Sequence, residues 1–403
     1  MTLPVEKQEI ISAIDALRDE LVSISQYIHA NPELGLQEYK ACACLCDCLE
    51  KHGFNVERGV CGMPTAFRAT FSGASEGRRV AILAEYDALE GLGHGCGHNL
   101  IAAIALGASL GLSKVLPRMA GTVVMFGTPA EEPNVDGAGG KAPMSTNGCF
   151  DDCAAALMVH PGTRTGAGGG SSLGATSLEV RFYGKPAHAS AIPHLGINAL
   201  NALIETFNAI NALRQHITPD ARIHGIITHG GSAPNVVPEL AIGRFIVRAE
   251  EMGYLDELVE KVKRCAEGAA VATGARVEFS YFCHTFEPTL PNDTLAAAFR
   301  ANYRALGLDV AEPSQPPQKG RASTDFGNVS QRVPSAGAGI SIASEGILGH
   351  THEMAAAAAS PRANEALLEA AKAMAMAAFD VLTDDDLVTR ARKEFEEKKA
   401  TKS

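Results

Sequence analysis

The sequence has no surplus of positive charge. Its 35 Lys and Arg stand against 46 Asp and Glu, a formal net charge of −11. Nothing would neutralise phosphates across a broad face, so general nucleic-acid binding is not expected. No apolar run reads as long and clean enough to cross a bilayer, so no membrane partner is expected either. The opening stretch MTLPVEKQEIISAIDALRDELVSISQYIH lacks the basic start and unbroken apolar core of a signal peptide. It follows an acidic amphipathic helix pattern instead, and the expected compartment is the cytoplasm. What remains is an ordinary globular composition, 46% apolar and 20% charged, over 403 residues. That length exceeds one ordinary core and implies two domains.

Ten cysteines are present, four of them in CACLCDC at Cys42, Cys44, Cys46 and Cys48. A thiolate metal cluster is one reading. The surrounding GLQEYKACACLCDCLEKHGF favours a helix in which cysteine packs as a small apolar residue. Cys42/Cys46 and Cys44/Cys48 are then i,i+4 pairs beside Leu45 and Leu49, and Gly53 stops the helix. Without a secretion signal, a disulfide framework is not expected.

The first half alternates short apolar strands with helices. RRVAILAEYDAL, GTVVMFGTPAEE and AAALMVHPG read as strands, and NLIAAIALGASLGL as a helix with Asn99 as N-cap. This rhythm predicts an α/β fold with a doubly wound, mostly parallel sheet. From about Ser177 the order becomes β-α-β-β-α-β: SLEVRFYG, a long helix, RIHGIITHGG, LAIGRFIVRAEE, a second helix and RVEFSYFC. That order is a split βαβ, ferredoxin-like unit. The expected organisation is a catalytic domain of residues 1–176 and 289–403, with residues 177–288 inserted as a lid and dimerisation domain. The terminal RARKEFEEKKATKS reads as a charged helix end that frays.

Reactive side chains collect where such a sheet binds ligands, beyond the carboxyl ends of its strands. Asp87 ends the first strand, and Cys96 and His98 follow in GHGCGHN. Glu131 and Glu132 end the second strand in PAEE, His160 ends the third in MVHP, and His350 lies in GHTHE. Thiolate, imidazole and carboxylate together suit zinc, manganese or cobalt. The adjacent Glu131 and Glu132 point different ways, so one can bind metal while its neighbour stays free as a general base. The glycines of GHGCGHN let the backbone bend around such a site. His94 there either supports a ligand from behind or lies at the surface.

The set CGHN, PAEE, VHP, GKPAHAS, GGSAPNVVPE, an Arg-containing strand and GHTHE resembles metallopeptidase family twenty. That family includes aminoacylases, carboxypeptidase G and auxin-conjugate amidohydrolases. The likeness runs from IHANPELGLQE to GHTHEM. EYDALEGLGHGCGHNLI and STDFGNVSQRVPS are most similar to the p-aminobenzoyl-glutamate hydrolase and β-alanyl-lysine dipeptidase branch. The resemblance implies two divalent metal ions (Mn, Zn or Co) held by Cys96, His98, Glu132, His160 and His350. It implies Glu131 as general base and Asp87 as the carboxylate that orients ligands. It implies His188 as oxyanion stabiliser, Asn235 and Arg248 as substrate contacts, and a homodimer through the inserted domain. The expected activity is amide hydrolysis of a small N-acyl amino acid or dipeptide-like conjugate. Two other readings stay open: a hydrolytic deaminase acting on an activated aromatic amine, and a non-catalytic metal-binding or interaction protein of this fold. Glu90 stands where the branch has proline and adds a charge near the entrance. His352 competes with His350 as ligand, and the spacing of His350 to Met354 favours His350.

Overall fold

The computed structural model describes residues 3–168, 170–313 and 322–401. In chain order the strands are β1 (Asn55–Arg58), β2 (Phe67–Ser72), β3 (Ser75–Ala84), β4 (Ala120–Gly127), β5 (Ala155–Gly162), β6 (Gly166–Ala167), β7 (Gly174–Tyr183), β8 (Arg222–His229), β9 (Leu240–Ala249), β10 (Arg276–Tyr281) and β11 (Ser335–Ser341). The chain divides into two units. One comprises residues 1–171, 289–319 and 325–403; the other comprises 172–288 and 320–324. The second begins at Ser172, ahead of the expected 177, because all of β7 belongs to its sheet.

The larger unit is built on a seven-stranded sheet of order β1-β2-β4-β3-β5-β11-β6. Its centre, β4-β3-β5-β11, is parallel, and the flanking pairings are antiparallel. The central strands are nearly continuous apolar runs because helices cover both their faces. The helix His98–Ser113 is buried along its whole length, and Pro361–Thr383 packs beside it. Here the bilayer expectation needs correcting. Among the described residues the segment His98–Arg118 is long and apolar enough to cross a membrane, with 89% of its apolar window buried inside the fold. An all-round apolar helix of this kind is what the centre of a large core requires.

The cysteine-rich stretch forms the helix Tyr39–Lys51, which buries Cys42, Cys46 and Cys48 with Leu45 and Leu49. None of the ten cysteines is in a disulfide. The C-terminal segment does not fray as expected. It is helical from Asp385 to Ala400, because Phe395 is buried and Lys398 bonds Asp293 and the Pro291 carbonyl.

The smaller unit is an antiparallel sheet of order β10-β7-β9-β8 with helices Ala199–Leu213 and Met252–Thr273. Side chains along β9 alternate between buried and half-buried, the period-2 pattern of a sheet with one covered face. β8 is an edge strand, and it exposes Ile226 and Ile227.

Candidate metal centre

The site lies entirely in the larger unit, on turns that follow its parallel strands and on the last residues of β5. The segment Gly93–Asn99 turns twice through left-handed glycines, Gly93 at φ 74° and Gly97 at φ 76°. Gly97 tolerates no side chain: a Cβ there would lie 2.5 Å from the Pro161 ring. The helix therefore starts at His98 with Gly97 as its N-cap, not at the expected Asn99. The Asn99 amide is used elsewhere, donating to Ser25 Oγ at 3.0 Å and the Ala358 carbonyl at 3.1 Å. His160 lies within β5, two residues before its end, opposite Gly339 of β11.

Three overlapping sets of donor atoms converge here. Within each set every donor lies within 4.8 Å of the others: Cys96, His98 and His160; Cys96, Glu132 and His350; His98, Glu131 and Glu132. All seven expected residues of this domain meet, with Asp87 bonding to two of the others. One Asp87 oxygen is 2.9 Å from His98 Nδ1, and the other accepts the Glu132 backbone N–H at 2.9 Å. His98 thus donates through Nδ1 and turns Nε2 toward the donors. His160 is set the same way: its Nδ1 donates to the Pro161 carbonyl at 2.7 Å, leaving Nε2 3.3 Å from Cys96 Sγ. His350 Nε2 sits 2.9 Å from Glu132 Oε1. His352 is exposed at the start of the helix His352–Ala357 and joins none of these sets.

The electrostatics fit cations. Burial pushes the Cys96 thiol up, but the imidazoles of His160 and His98 outweigh it and hold the thiol well below its ordinary range. Burial opposes charge on His160, yet the Cys96 sulfur raises it to about 8. Hydrogen bonds to Cys96 and Glu132 raise His350 to about 10. Burial, then Glu85 and Glu132, push Glu131 well above the usual carboxylate range. The cluster is short of positive charge and draws protons to relieve it. His98 Nε2 is buried without a hydrogen bond among the described residues, and the nearest carboxylate oxygen, on Glu85, is 3.6 Å away. An orphaned ring nitrogen facing thiolate and carboxylates is what a borderline divalent ion would satisfy.

Sequence reasoning missed the charges behind this cluster. Lys141 is fully buried, with Nζ 2.6 Å from both Glu85 Oε1 and Asp325 Oδ1. Donor atoms of Glu85, Asp325 and Glu131 lie within 4.8 Å of each other. The available signal was charge inside apolar strings, GGKAPM and STDFGNVS. His94 is buried and not a surface residue: its Nε2 lies 3.1 Å from the Ile28 carbonyl and its ring 6.0 Å from that of His29. Glu90 is exposed on a cleft of about 550 Å³ lined also by His29, Leu34 and Leu92.

In the smaller unit, His188 and Asn235 come together although they are 47 positions apart. The Ala189 N–H donates to the Asn235 carbonyl at 3.0 Å, and His188 bridges to Val236. His188 Nδ1 accepts from the Ser190 and Ala191 backbone N–H groups, each at 3.3 Å. That fixes the ring proton on Nε2, a donor on an exposed side chain. Arg248 stands on β9 between Ala175 and Arg222.

A family model described as the peptidase dimerisation domain matches residues 171–273. The chain is 36% identical over 405 residues to Xaa-Arg dipeptidase of Mus musculus, covering 98% of this chain and 93% of the relative. It is 38% identical over 320 residues to one of the subunits of p-aminobenzoyl-glutamate hydrolase from Escherichia coli, covering 74% and 64%. Among solved structures, a Bacillus subtilis protein described as a dinuclear metal binding peptidase from the M20 family aligns with a TM-score of 0.65 at 22% identity, over 91% and 99% of the two chains. An aminobenzoyl-glutamate utilization protein from Klebsiella pneumoniae aligns at 0.68 and 20% identity, over 89% and 98%. A full-length likeness to hydrolases removes the non-catalytic reading. The chain belongs to the M20 family and is a metal-dependent hydrolase of carbon–nitrogen bonds.

Proposed function

We propose that this chain is a dinuclear metallodipeptidase that cleaves a small dipeptide or dipeptide-like conjugate with a free carboxylate, Xaa-Arg being the first type to test. The observation that carries the reading is the overlap of the donor sets. Cys96, His98 and Glu132 each belong to two of them, a spacing suited to a pair of neighbouring ions. Cys96, His98, Glu132, His160 and His350 would hold those ions, and the donor mixture suits Mn, Zn or Co. When bound, the metals supply Lewis-acid polarisation of the scissile carbonyl and lower the pKa of water. Glu131 takes the proton of the attacking water and delivers it to the leaving nitrogen. Its desolvated carboxylate, pushed up by Glu85 and Glu132, suits a group that must hold a proton between those steps. Asp87 keeps His98 in one tautomer. His188 offers Nε2–H to the developing oxyanion, and Asn235 and Arg248 hold the substrate, its carboxylate above all.

The domain match and the exposed edge strand β8 support a homodimer paired through the smaller unit. Ten cysteines outside any disulfide support a reducing, cytoplasmic location. The test is a panel of Xaa-Arg, Xaa-Lys and Xaa-Glu dipeptides, N-acyl amino acids and p-aminobenzoyl-glutamate. It is run on chelator-dialysed protein before and after Mn, Zn or Co is returned. Metal-dependent cleavage of Xaa-Arg is expected; absence of metal-dependent amide cleavage across the panel rejects the reading.

A further inference from the structure

The segment NPELGLQE, Asn31–Glu38, belongs to none of the donor sets, yet it wraps two turns of the site, those of Asp87 and of Glu131–Glu132. The Glu33 carbonyl accepts the Ala88 N–H at 2.8 Å, tying down the turn that carries Asp87. Gly35 packs so closely on Ala130 that a Cβ there would lie 2.7 Å from the Ala130 methyl. Glu33 also caps the helix Tyr39–Lys51, accepting the Lys40 N–H at 2.9 Å and the Ala41 N–H at 3.1 Å. The residue at the cap position, Glu38, is therefore free of that duty and makes no cap bond. Its side chain turns into the protein, where it is fully buried. One oxygen accepts the Thr65 hydroxyl at 2.7 Å, and the other accepts the Ala130 N–H at 2.8 Å.

Ala130 is the unusual residue of this turn. It is not glycine, yet its φ is 57°, a left-handed conformation that L side chains disfavour. Something must hold it there. Its carbonyl accepts the Gly139 N–H at 2.7 Å, and its N–H goes to Glu38. Two positions on, the Glu132 N–H goes to Asp87 at 2.9 Å. Two buried carboxylates thus pin the amides on either side of Glu131.

We propose that Glu38 is a positioning residue for hydrolysis: it fixes the left-handed Ala130 turn and so aims Glu131. Asp87 fixes the other side of the same turn. A carboxylate suits this role because hydrogen bonds to it are short and strong in a desolvated site. Burial, then the nearby Asp87, raise Glu38 to about 7, and either protonation state keeps an acceptor for the Ala130 amide. The inference rests on Glu131 as the base. Displacement of a reacting group by about 1 Å costs on the order of 10²-fold in rate.

The experiment compares Glu38→Met, Glu38→Gln and Thr65→Val in the full-length, metal-loaded protein. Glu38→Met keeps the volume and removes the acceptor. Glu38→Gln keeps an oxygen for the Ala130 amide. Thr65→Val removes the other partner of Glu38 and serves as the control for lost stability alone. Two quantities are read: steady-state kinetics on a cleaved dipeptide, and amide hydrogen exchange across residues 128–132. Glu38→Met should lower kcat about 10–100-fold with KM within about 2-fold, and speed exchange in the turn by about 10-fold or more. Glu38→Gln should restore kcat to within about 3-fold of the parent, and Thr65→Val should leave kcat there too. If Glu38→Met does not fold, Glu38→Asp replaces it, since one methylene less withdraws the carboxylate from the amide. Unchanged exchange in the acceptor-less variant overturns the proposal, as does a kcat loss in Thr65→Val equal to that in Glu38→Met. Faster exchange with unchanged kcat also overturns the proposal, whereas the role of Glu131 fails separately if Glu131→Gln keeps near-parental turnover, so the two failures are distinguishable.

Discussion

Replacing Lys141 by Met is the sharpest test of the charge arrangement behind the candidate metal centre. Met matches the side chain as far as Cε and removes its ammonium, which lies 2.6 Å from Glu85 and from Asp325 with all three groups buried. Burial opposes charge on Lys141, but Asp325 and Glu85 outweigh it. On Asp325, burial wins over Lys141 and raises the carboxyl to about 6. The triad is therefore finely balanced, and its one cation serves two carboxylates. Breaking a buried pair by removing one partner costs about 3–5 kcal/mol. For a unit this large, at about 2 °C per kcal/mol, that is a fall of roughly 6–10 °C in midpoint. The assay is far-UV circular dichroism on parent and variant at the same saturating metal concentration, since ligand binding shifts the midpoint by itself. Asp325→Asn in the Lys141→Met background should recover at least about 1 kcal/mol relative to additivity, because it removes a carboxylate the first change stranded. A cost below about 1 kcal/mol for Lys141→Met, or full additivity of the two changes, refutes the reasoning.

The proposed ligand role of Cys96 would separate it from the packed cysteines. Cys96→Ala should lower metal content after dialysis, whereas Cys44→Ala on the helix Tyr39–Lys51 should not; equal stoichiometry in both rejects the role. Metal affinity of the parent should weaken as pH falls, because protons compete for the thiolate and imidazoles, and calorimetric titration at several pH values reads this directly. Ile226 and Ile227 lie exposed on the edge strand β8. If the smaller unit pairs two subunits, Ile226→Asp should weaken the dimer at least about 10-fold by buried-charge cost, and sedimentation equilibrium showing an unchanged dimer would move the interface elsewhere.

Much of this candidate site was legible because most of its donor residues sit on short turns after apolar strands, and His160 sits near the end of one. GHGCGHN, PAEE and VHP each carry their donors within a few residues, so a local pattern points at them. The β-α-β-β-α-β order of the smaller unit was equally local, and the sheet order β10-β7-β9-β8 follows it. What escaped depends on long-range contacts. Lys141 meets Asp325 across 184 positions, and Glu38 meets Ala130 across 92. A lone Lys or Glu in a string looks the same whether solvated or buried in a pair. Asn99 was misread as a cap because capping preference is a weak prior. The Gly97 turn and the partners of Asn99 on other helices overrode it. The charged tail was misread as fraying because its apolar anchor, Phe395, is a single residue among many charges.

The central claim is that Glu131 moves the proton while its neighbour Glu132 binds metal. Glu131→Gln tests it most directly, with metal content and turnover measured on one preparation. The account predicts the metal stoichiometry of the parent protein and a turnover lower by about 10²–10⁴-fold, the usual cost of removing a positioned general base. Near-parental turnover in the metal-loaded variant would contradict it.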